Sequence, residues 1–288
     1  MPLLNLIYNN EREDIINGIK SLKQYFKQKN INIGVSESLE SGTHFLKIYS
    51  DCELNKRLVN IFNIQIANIV YGIIVKEFYK KEIDLFLQEN YFFLQNDEMD
   101  NIKNESYNLL MGDISIIDEN SIYCINKKNN ILEEIIDCMR ESNNINIEGF
   151  ISFRMKNTLS DLKNIIDKVV EKYMVEKEYD DFIKLLKYFV EIQESKIEYM
   201  DIVIEDNGDY IVRNEQGIDI TNKLFNELTE FKTDKDVSSE DLLISVLITN
   251  SPQNICIHSV ENCRNSEIID TIQKVFTDRV KFYNSCNV

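Results

Sequence analysis

The feature that most constrains the fold is an uncharged segment of 18 residues, from Leu58 to Val75. Its length is close to the lower limit for a helix that crosses a membrane. Asn60, Asn63 and Asn68 interrupt it, and amide groups without hydrogen-bond partners are costly in lipid. Because the three amides share one helix face, we expect a buried core helix with a narrow polar stripe and no membrane span.

The composition indicates a folded protein rather than a disordered one. The chain has 288 residues, of which 43% are hydrophobic and 28% are charged, so it is long enough for two domains or one large one. The net charge is −17, and no run of basic residues opposes it. A phosphate-rich partner would be repelled by this charge, so we predict no binding to nucleic acid.

The six cysteines indicate the compartment. None of them forms a CxxC pair, and the N-terminus lacks the basic start and cleavage site of a signal peptide. Disulfide frameworks belong mainly to short secreted chains. We therefore expect free thiols and a cytoplasmic location.

The hydrophobic pattern predicts an α+β fold in three parts. Residues 1–110 form an N-terminal α/β part with a strand over 3–8, a helix over 11–28, strands over 31–36 and 45–49, and a long helix over 54–89 that breaks near Gly72 or Lys80. Residues 111–196 form a helical middle, with apolar residues at helical spacing in one helix up to Tyr173 and in a second after Glu176-Lys177-Glu178. Its alternating charges are typical of a solvated helix surface.

Residues 197–288 form a C-terminal mixed αβ domain with a β-hairpin. Strands over 198–205 and 210–213 flank Asn207-Gly208, a pair that favours a tight hairpin turn. The later pattern predicts helices over 221–231, 240–249 and 266–277, and strands over 254–258 and 279–283.

Several chemistries are missing from the sequence. Its two histidines, His44 and His258, are far apart, so an HExxH motif or a multi-histidine metal cluster cannot form. The eight glycines form neither GxGxxG nor GxxxxGK[ST], and there is no GxSxG elbow. We therefore assign no catalytic residue, no metal site and no cofactor.

Two residues could still belong to a binding site. His258 ends a predicted strand, and ligands gather at strand ends in α/β sheets. Arg154 lies among aromatic residues and could bind a carboxylate or phosphate with two hydrogen bonds. The structural alternatives are a histidine bonded to a neighbouring loop, and an arginine paired with Glu148 or Glu178.

A series of motifs in the second half resembles the YtxC-like family. The motifs are Glu-Gly-Phe-x-x-Phe-Arg (148–154), Val-Glu-Lys-Tyr-Met-x-Glu-Lys-Glu-Tyr (170–179), Phe-Ile-x-Leu-Leu-Lys-Tyr-Phe-Val-x-x-Gln (182–193), Asp-Leu-Leu-Ile-Ser-x-Leu-Ile-Thr (241–249), x-Ile-x-Ile-His (254–258) and Phe-Thr-Asp-Arg-Val (276–280) with Cys286. The resemblance implies a link to sporulation in endospore-forming bacteria. It implies no established activity, ligand or catalytic residue. The candidate binding residues within these motifs are Glu148, Arg154, Glu178, Gln193 and His258.

Two functions remain open at this point. The first is a non-enzymatic cytoplasmic protein, linked to sporulation, that binds another protein. This hypothesis predicts exposed apolar patches on the helical block. The alternative is a small-molecule or nucleotide-binding α/β protein that uses the C-terminal sheet near His258. The oligomeric state and the identity of the partner do not follow from the sequence.

Overall fold

A computed structural model describes residues 1–9, 12–112, 119–229 and 238–283, with the side chains of 153–157 and 229 left out. It confirms the α+β fold, with two four-stranded mixed sheets and helices around each. The chain divides into two compact units, Met1–Tyr173 and Met174–Val288. The division falls inside one long helix. The sequence predicted three domains with boundaries near 110 and 196. Compactness does not show which segments fold independently, so this division stays a prediction.

The sheet of the first unit has the strand order β2-β3-β1-β4. Its strands are β1 (Pro2–Asn9), β2 (Ile33–Glu40), β3 (Thr43–Ser50) and β4 (Asn144–Asn146). β1 is antiparallel to β3 and parallel to β4. Ser41 and Gly42 both have positive φ, at 50° and 84°, which is the backbone that a two-residue turn between β2 and β3 requires.

Five helices and the start of a sixth pack in the first unit. They are α1 (Glu13–Lys27), α2 (Lys56–Lys81), α3 (Ile83–Asn90), α4 (Asn96–Met111), α5 (Glu119–Glu141) and α6 (Ile147–Ile192). α1 buries Ile15, Ile19, Leu22 and Phe26 at helical spacing. The predicted break in the long helix lies at Glu82, close to Lys80.

The uncharged segment forms most of α2. By length and composition this helix could cross a membrane, a test that the core helix of a soluble protein also passes. Ile66, Val70, Ile73 and Ile74 of α2 are fully buried within the first unit. Asn60 and Asn68 lie on its exposed side. This is the burial pattern of a core helix, and the absence of a membrane span stays an expectation.

The helical middle differs from the prediction in two ways. The sequence pattern predicted two helices separated near Glu176-Lys177-Glu178, but α6 is one helix from Ile147 to Ile192. Glutamate and lysine favour helix, and 150–192 contain no glycine or proline to interrupt it. The short strand β4 within this region was also not predicted.

The sheet of the second unit has the strand order β6-β5-β7-β8. Its strands are β5 (Tyr199–Ile204), β6 (Tyr210–Arg213), β7 (Asn254–His258) and β8 (Val280–Tyr283). β5 and β6 form the predicted hairpin, while β5, β7 and β8 run parallel. Gly208 has φ +83° in the hairpin turn, a conformation that favours glycine.

The helices of the second unit bury one face of this sheet. They are α7 (Thr221–Thr229), α8 (Ser239–Asn250), α9 (Ser266–Phe276) and the end of α6. Met200, Ile202 and Ile204 alternate along β5 into the core, where they meet Leu243, Val246, Leu247, Ile272 and Phe276. Residues 230 and 231 of the helix predicted over 221–231, and Cys286 of the family motif, lie outside the described residues.

Candidate functional site

The second half of α6 carries apolar side chains on two faces. Ile183 and Val190 are buried in the core of the second unit, and Leu186 packs partly against it. A different set of large apolar side chains is exposed to solvent on the same turns. They are Phe182 (49%), Leu185 (51%), Phe189 (41%) and Ile192 (59%), which we call the α6 seam.

The spacing of the α6 seam is that of a helix-packing surface. Its residues are separated by three, four and three positions, which is the alternation that a coiled-coil helix presents to a partner helix. Val175 lies seven residues before Phe182, extends the seam by two turns and is 62% exposed. One helix therefore uses one apolar face for the core and leaves a second without cover in the described structure.

An open groove of about 710 Å³ adjoins the α6 seam within the second unit. Three helices line it, and on each of them the lining residues follow helical spacing. α6 gives Tyr179, Phe182 and Leu186; α8 gives Glu240, Asp241, Ile244, Ser245, Ile248 and Thr249; α9 and its cap give Asn265, Glu267, Ile268 and Thr271. We call this the α6–α8–α9 groove, and Phe182 belongs to both the seam and the groove.

The groove has an apolar floor and an acidic rim. Ile244, Ile248 and Leu186 are half-buried residues of the floor. Among the lining residues that the structure describes, the charged side chains are Glu240, Asp241 and Glu267, all acidic. The Tyr179 hydroxyl lies 3.0 Å from Thr271 Oγ1 and joins α6 to α9. Such a groove is suited to an amphipathic segment with a basic side.

His258 stands where the sequence predicted, at the end of β7. Its Nε2 lies 2.7 Å from Asp201 Oδ1 on the neighbouring strand β5. Its ring stacks on Tyr283 of β8, with centroids 5.2 Å apart and planes 17° apart. The side chains of His258 and Asp201 are 22% and 19% exposed. These contacts tie together three parallel strands, so the geometry is that of a structural cross-link.

The same sheet face carries a second polar pair. Parallel register sets Asp201 beside Cys256, and alternation along β5 puts Tyr199 and Asp201 on one face. The side-chain hydrogen bond between Tyr199 and Cys256 raises the pKa of the tyrosine, and burial adds to the effect. Tyr199 is therefore neutral near pH 7 and acts as a hydrogen-bonding group.

Glu148 is held in a salt-bridge network in the first unit. Its Oε1 accepts a hydrogen bond from the backbone N–H of Asn9 at 3.1 Å and lies 3.3 Å from Arg12 Nη2. Arg12 Nη1 also lies 3.3 Å from Glu77 Oε1. Arg12, which the sequence did not single out, therefore pairs with Glu148, and this network connects β1, α2 and α6.

The other candidate residues do not join His258 in the described structure. Arg154 lies in the helical backbone of α6, but its side chain is outside the described part of the chain. Glu178 is exposed on α6, and Gln193 is exposed just after its end. The described contacts of His258 are with Asp201 and Tyr283. The binding role of these five residues stays a prediction.

Candidate metal ligands do not gather within the described residues. Within 1–9, 12–112, 119–229 and 238–283, no cluster of three or more His, Cys, Asp or Glu residues could hold a metal ion. The five described cysteines, Cys52, Cys124, Cys138, Cys256 and Cys263, are free.

Comparison with known proteins places the chain in a family. The model of the YtxC-like family matches residues 64–281, which is well over half of the chain. This chain belongs to the YtxC-like family. The protein named "Uncharacterized protein YtxC" of Bacillus subtilis (strain 168) is 23% identical to it over 195 residues, 68% of each chain. No solved structure matches. The α6 seam and the α6–α8–α9 groove both lie inside the range that the family model matches.

The acidic rim of the groove has no distinctive signal in the sequence. Glu240, Asp241 and Glu267 lie in the first turns of α8 and α9, where acidic residues are common because they stabilise the helix dipole. Only the folded arrangement shows that the two helix starts face the same groove. Asp201 was also missed, because its contact with His258 depends on strand pairing between residues 57 positions apart.

Proposed function

We propose that this member of the YtxC-like family is a non-enzymatic protein that binds another protein through the α6 seam. The observation that carries the proposal is the exposure of Phe182, Leu185, Phe189 and Ile192, four large apolar side chains on one helix face. At roughly 200 Å² for each large side chain, exposures near one half give about 400 Å² of apolar surface. This is the size of the largest apolar patch on a typical monomer, about 300–600 Å², and such patches are often functional.

The spacing of the α6 seam supports a helix as the contacting element. Alternating steps of three and four residues present a narrow stripe that fits between the side chains of a facing helix. Full burial of an exposed large apolar side chain contributes about 1.5–3 kcal/mol, so covering the exposed half of each seam residue contributes about 1 kcal/mol before the cost of association is subtracted. A partner that covers all four residues would therefore be held mainly by the seam.

We also propose a cytoplasmic location and a role in sporulation. The location rests on the cysteines, because the five that the structure describes are free thiols. The link to sporulation rests on the label carried by the family that the motifs resemble. A deletion of the gene tests it, because the proposal expects fewer heat-resistant spores with unchanged vegetative growth.

The alternative function, binding of a small molecule or nucleotide near His258, has one specific observation in its favour. Tyr199, Asp201 and His258 share a sheet face, with Tyr283 stacked on the histidine ring. However, Asp201 already occupies one ring nitrogen of His258 and Tyr283 covers one side of its ring. Because His258 already has a hydrogen-bond partner and a stacking partner within the chain, we favour protein binding over binding of a small molecule.

Comparative capture of partners tests the proposed function. The tagged full chain, a Leu185→Asp/Phe189→Asp variant and a control with Glu191→Ala are each used to isolate proteins from cells of the bacterium that encodes the chain. Glu191 is exposed on another face of α6. The proposal expects a protein that the wild type and the control retain in equal amounts and the double variant loses. Equal retention by all three would contradict it.

A further inference from the structure

We infer that the α6–α8–α9 groove binds a basic amphipathic helix. The inference rests on the proposed function, because the groove is continuous with the α6 seam through Phe182. It adds the chemistry of the partner: a helix with apolar side chains at positions i, i+3, i+4 and i+7 and with lysine or arginine beside them.

The shape of the groove supports a helical occupant. Its α8 side consists of 240, 241, 244, 245, 248 and 249, which follow helical spacing along one side of the helix, and its α6 side consists of 179, 182 and 186. Grooves formed between helices are a recurrent binding site for amphipathic helices, which insert side chains one helical turn apart. A volume of about 710 Å³ has room for several such side chains.

The apolar pattern of α8 is an independent observation. Leu243, Val246 and Leu247 are buried in the core of the second unit. Ile244 and Ile248, on another side of the same helix, pack partly against that core and also line the groove, where they are half-buried. They share this side of α8 with acidic and hydroxyl side chains. An amphipathic helix matches this mixture of apolar and polar groups.

The charge of the rim selects the partner. Glu240, Asp241 and Glu267 line the groove, and within the described lining no lysine or arginine balances them. The dipoles of α8 and α9 offset about half a charge at each helix start, which leaves the rim at about −2. Lys274 is a basic residue near the groove but outside its lining. Its Nζ lies 4.7 Å from the ring centroid of the lining residue Tyr179. The chain as a whole carries −17, so a basic partner is also attracted at long range.

A second copy of the chain does not fit this charge pattern. The part of α6 in the second unit, residues 174–192, has five exposed acids and three lysines; the acids are Glu176, Glu178, Asp180, Asp181 and Glu191. Like charges placed opposite one another disfavour association. A basic helix from another protein removes this repulsion, and it covers the floor and the rim together.

Binding of model peptides to the full chain tests the inference. The probe is a fluorescein-labelled peptide, LKKLLKLLKKLLKL, which places leucine on one helix face and lysine on the other. The matched acidic peptide, LEELLELLEELLEL, has the same apolar face. Fluorescence anisotropy gives both affinities, and the inference expects the basic peptide to bind at least about tenfold more tightly.

Charge variants separate the groove from general attraction to an acidic protein. The rim variant carries Glu240→Gln, Asp241→Asn and Glu267→Gln. The control removes three exposed acids of the same unit that do not line the groove, through Glu215→Gln, Glu227→Gln and Asp270→Asn. We expect the rim variant to weaken binding of the basic peptide about tenfold and the control less than about twofold. Ile248→Gln tests the floor, with circular dichroism to confirm that the variant is folded.

Several results of these experiments would overturn the inference. It fails if the basic peptide does not bind, if the acidic peptide binds equally well, or if the control weakens binding as much as the rim variant does. It also fails if sedimentation shows a dimer that Ile248→Gln abolishes, because the groove would then bind a second copy. If the rim variant retains the captured partner while Leu185→Asp/Phe189→Asp loses it, the inference fails and the proposed function stands. Peptide binding in the groove with no loss of partner in the double variant contradicts the proposed function instead.

Discussion

Phe182 and Ile183 are adjacent in α6, but Ile183 is 8% exposed and Phe182 is 49% exposed. The two side chains lie about 100° apart around the helix, so one faces the core of the second unit and the other faces solvent. The same division recurs one to two turns later, where Val190 is buried and Phe189 is 41% exposed. This pairing of a core face with an exposed apolar face underlies the proposed function.

The two faces should respond differently to truncation. Ile183→Ala removes buried methylene groups and should lower the free energy of unfolding by about 2–4 kcal/mol. Leu185→Ala removes a half-exposed side chain and should change it by less than about 0.5 kcal/mol. Urea denaturation measures both. Similar losses in the two variants would mean that the α6 seam is covered within the folded chain.

The hairpin turn between β5 and β6 should not tolerate a side chain at Gly208. Its φ is +83°, and an added Cβ would lie 2.6 Å from Arg264 Nε and 2.8 Å from Arg264 Cγ. We expect Gly208→Ala to lower the free energy of unfolding by more than about 1 kcal/mol. Gly34→Ala is the matched control, since nothing lies within 4 Å of its added Cβ. A thermal shift of the same size in both variants would rule out this local explanation.

The salt-bridge network around Arg12 should make stability depend on pH. The hydrogen bond from Lys81 and the charge of Arg12 lower the pKa of Glu77 below its ordinary value of 4.5. A carboxylate with a lowered pKa stabilises the folded state fully above pH 4.5, and this contribution is lost as pH falls through the folded pKa. Glu77→Gln should therefore cost about 1 kcal/mol at pH 7 and progressively less below pH 4.5. Urea denaturation at several pH values checks this, and a cost that does not depend on pH would contradict it.

The Asp201–His258 pair should act on stability and not on partner binding. Asp201→Ala leaves a partly buried ring nitrogen without its acceptor and should cost about 1–3 kcal/mol of unfolding free energy. Glu205→Ala, an exposed acid just after β5, should cost much less. Binding of the basic peptide should be unchanged in both. If Asp201→Ala instead abolished binding of a nucleotide or metabolite in a thermal-shift panel, the alternative function would replace the one proposed here.

Much of the fold could be predicted from local patterns. The spacing of Ile15, Ile19, Leu22 and Phe26 indicated α1, and Asn207-Gly208 indicated the hairpin, because both signals act over a few residues. The continuity of α6 was missed because Glu176-Lys177-Glu178 interrupts the apolar pattern without interrupting the backbone. β4 was missed because it has three residues and forms only by pairing with β1.

The candidate site was harder to predict. The apolar residues of α6 were recognised from their spacing, but spacing alone does not show that Ile183 faces a core and Phe182 does not. The partners of His258 and Glu148 are Asp201 and Arg12, which lie 57 and 136 positions away. The acids of the groove rim looked like ordinary helix starts. These assignments depend on long-range packing, which local sequence patterns do not contain.

Site-specific photocrosslinking shows whether the α6 seam contacts a partner in the cell. A photoreactive benzoylphenylalanine replaces Leu185 in one sample, Ile192 in a second and Glu191 in a third, and cells of the native bacterium are irradiated during sporulation. We expect the same crosslinked partner from 185 and 192 and no such product from 191. Crosslinks from all three positions, or none from 185 and 192, would contradict binding through the α6 seam.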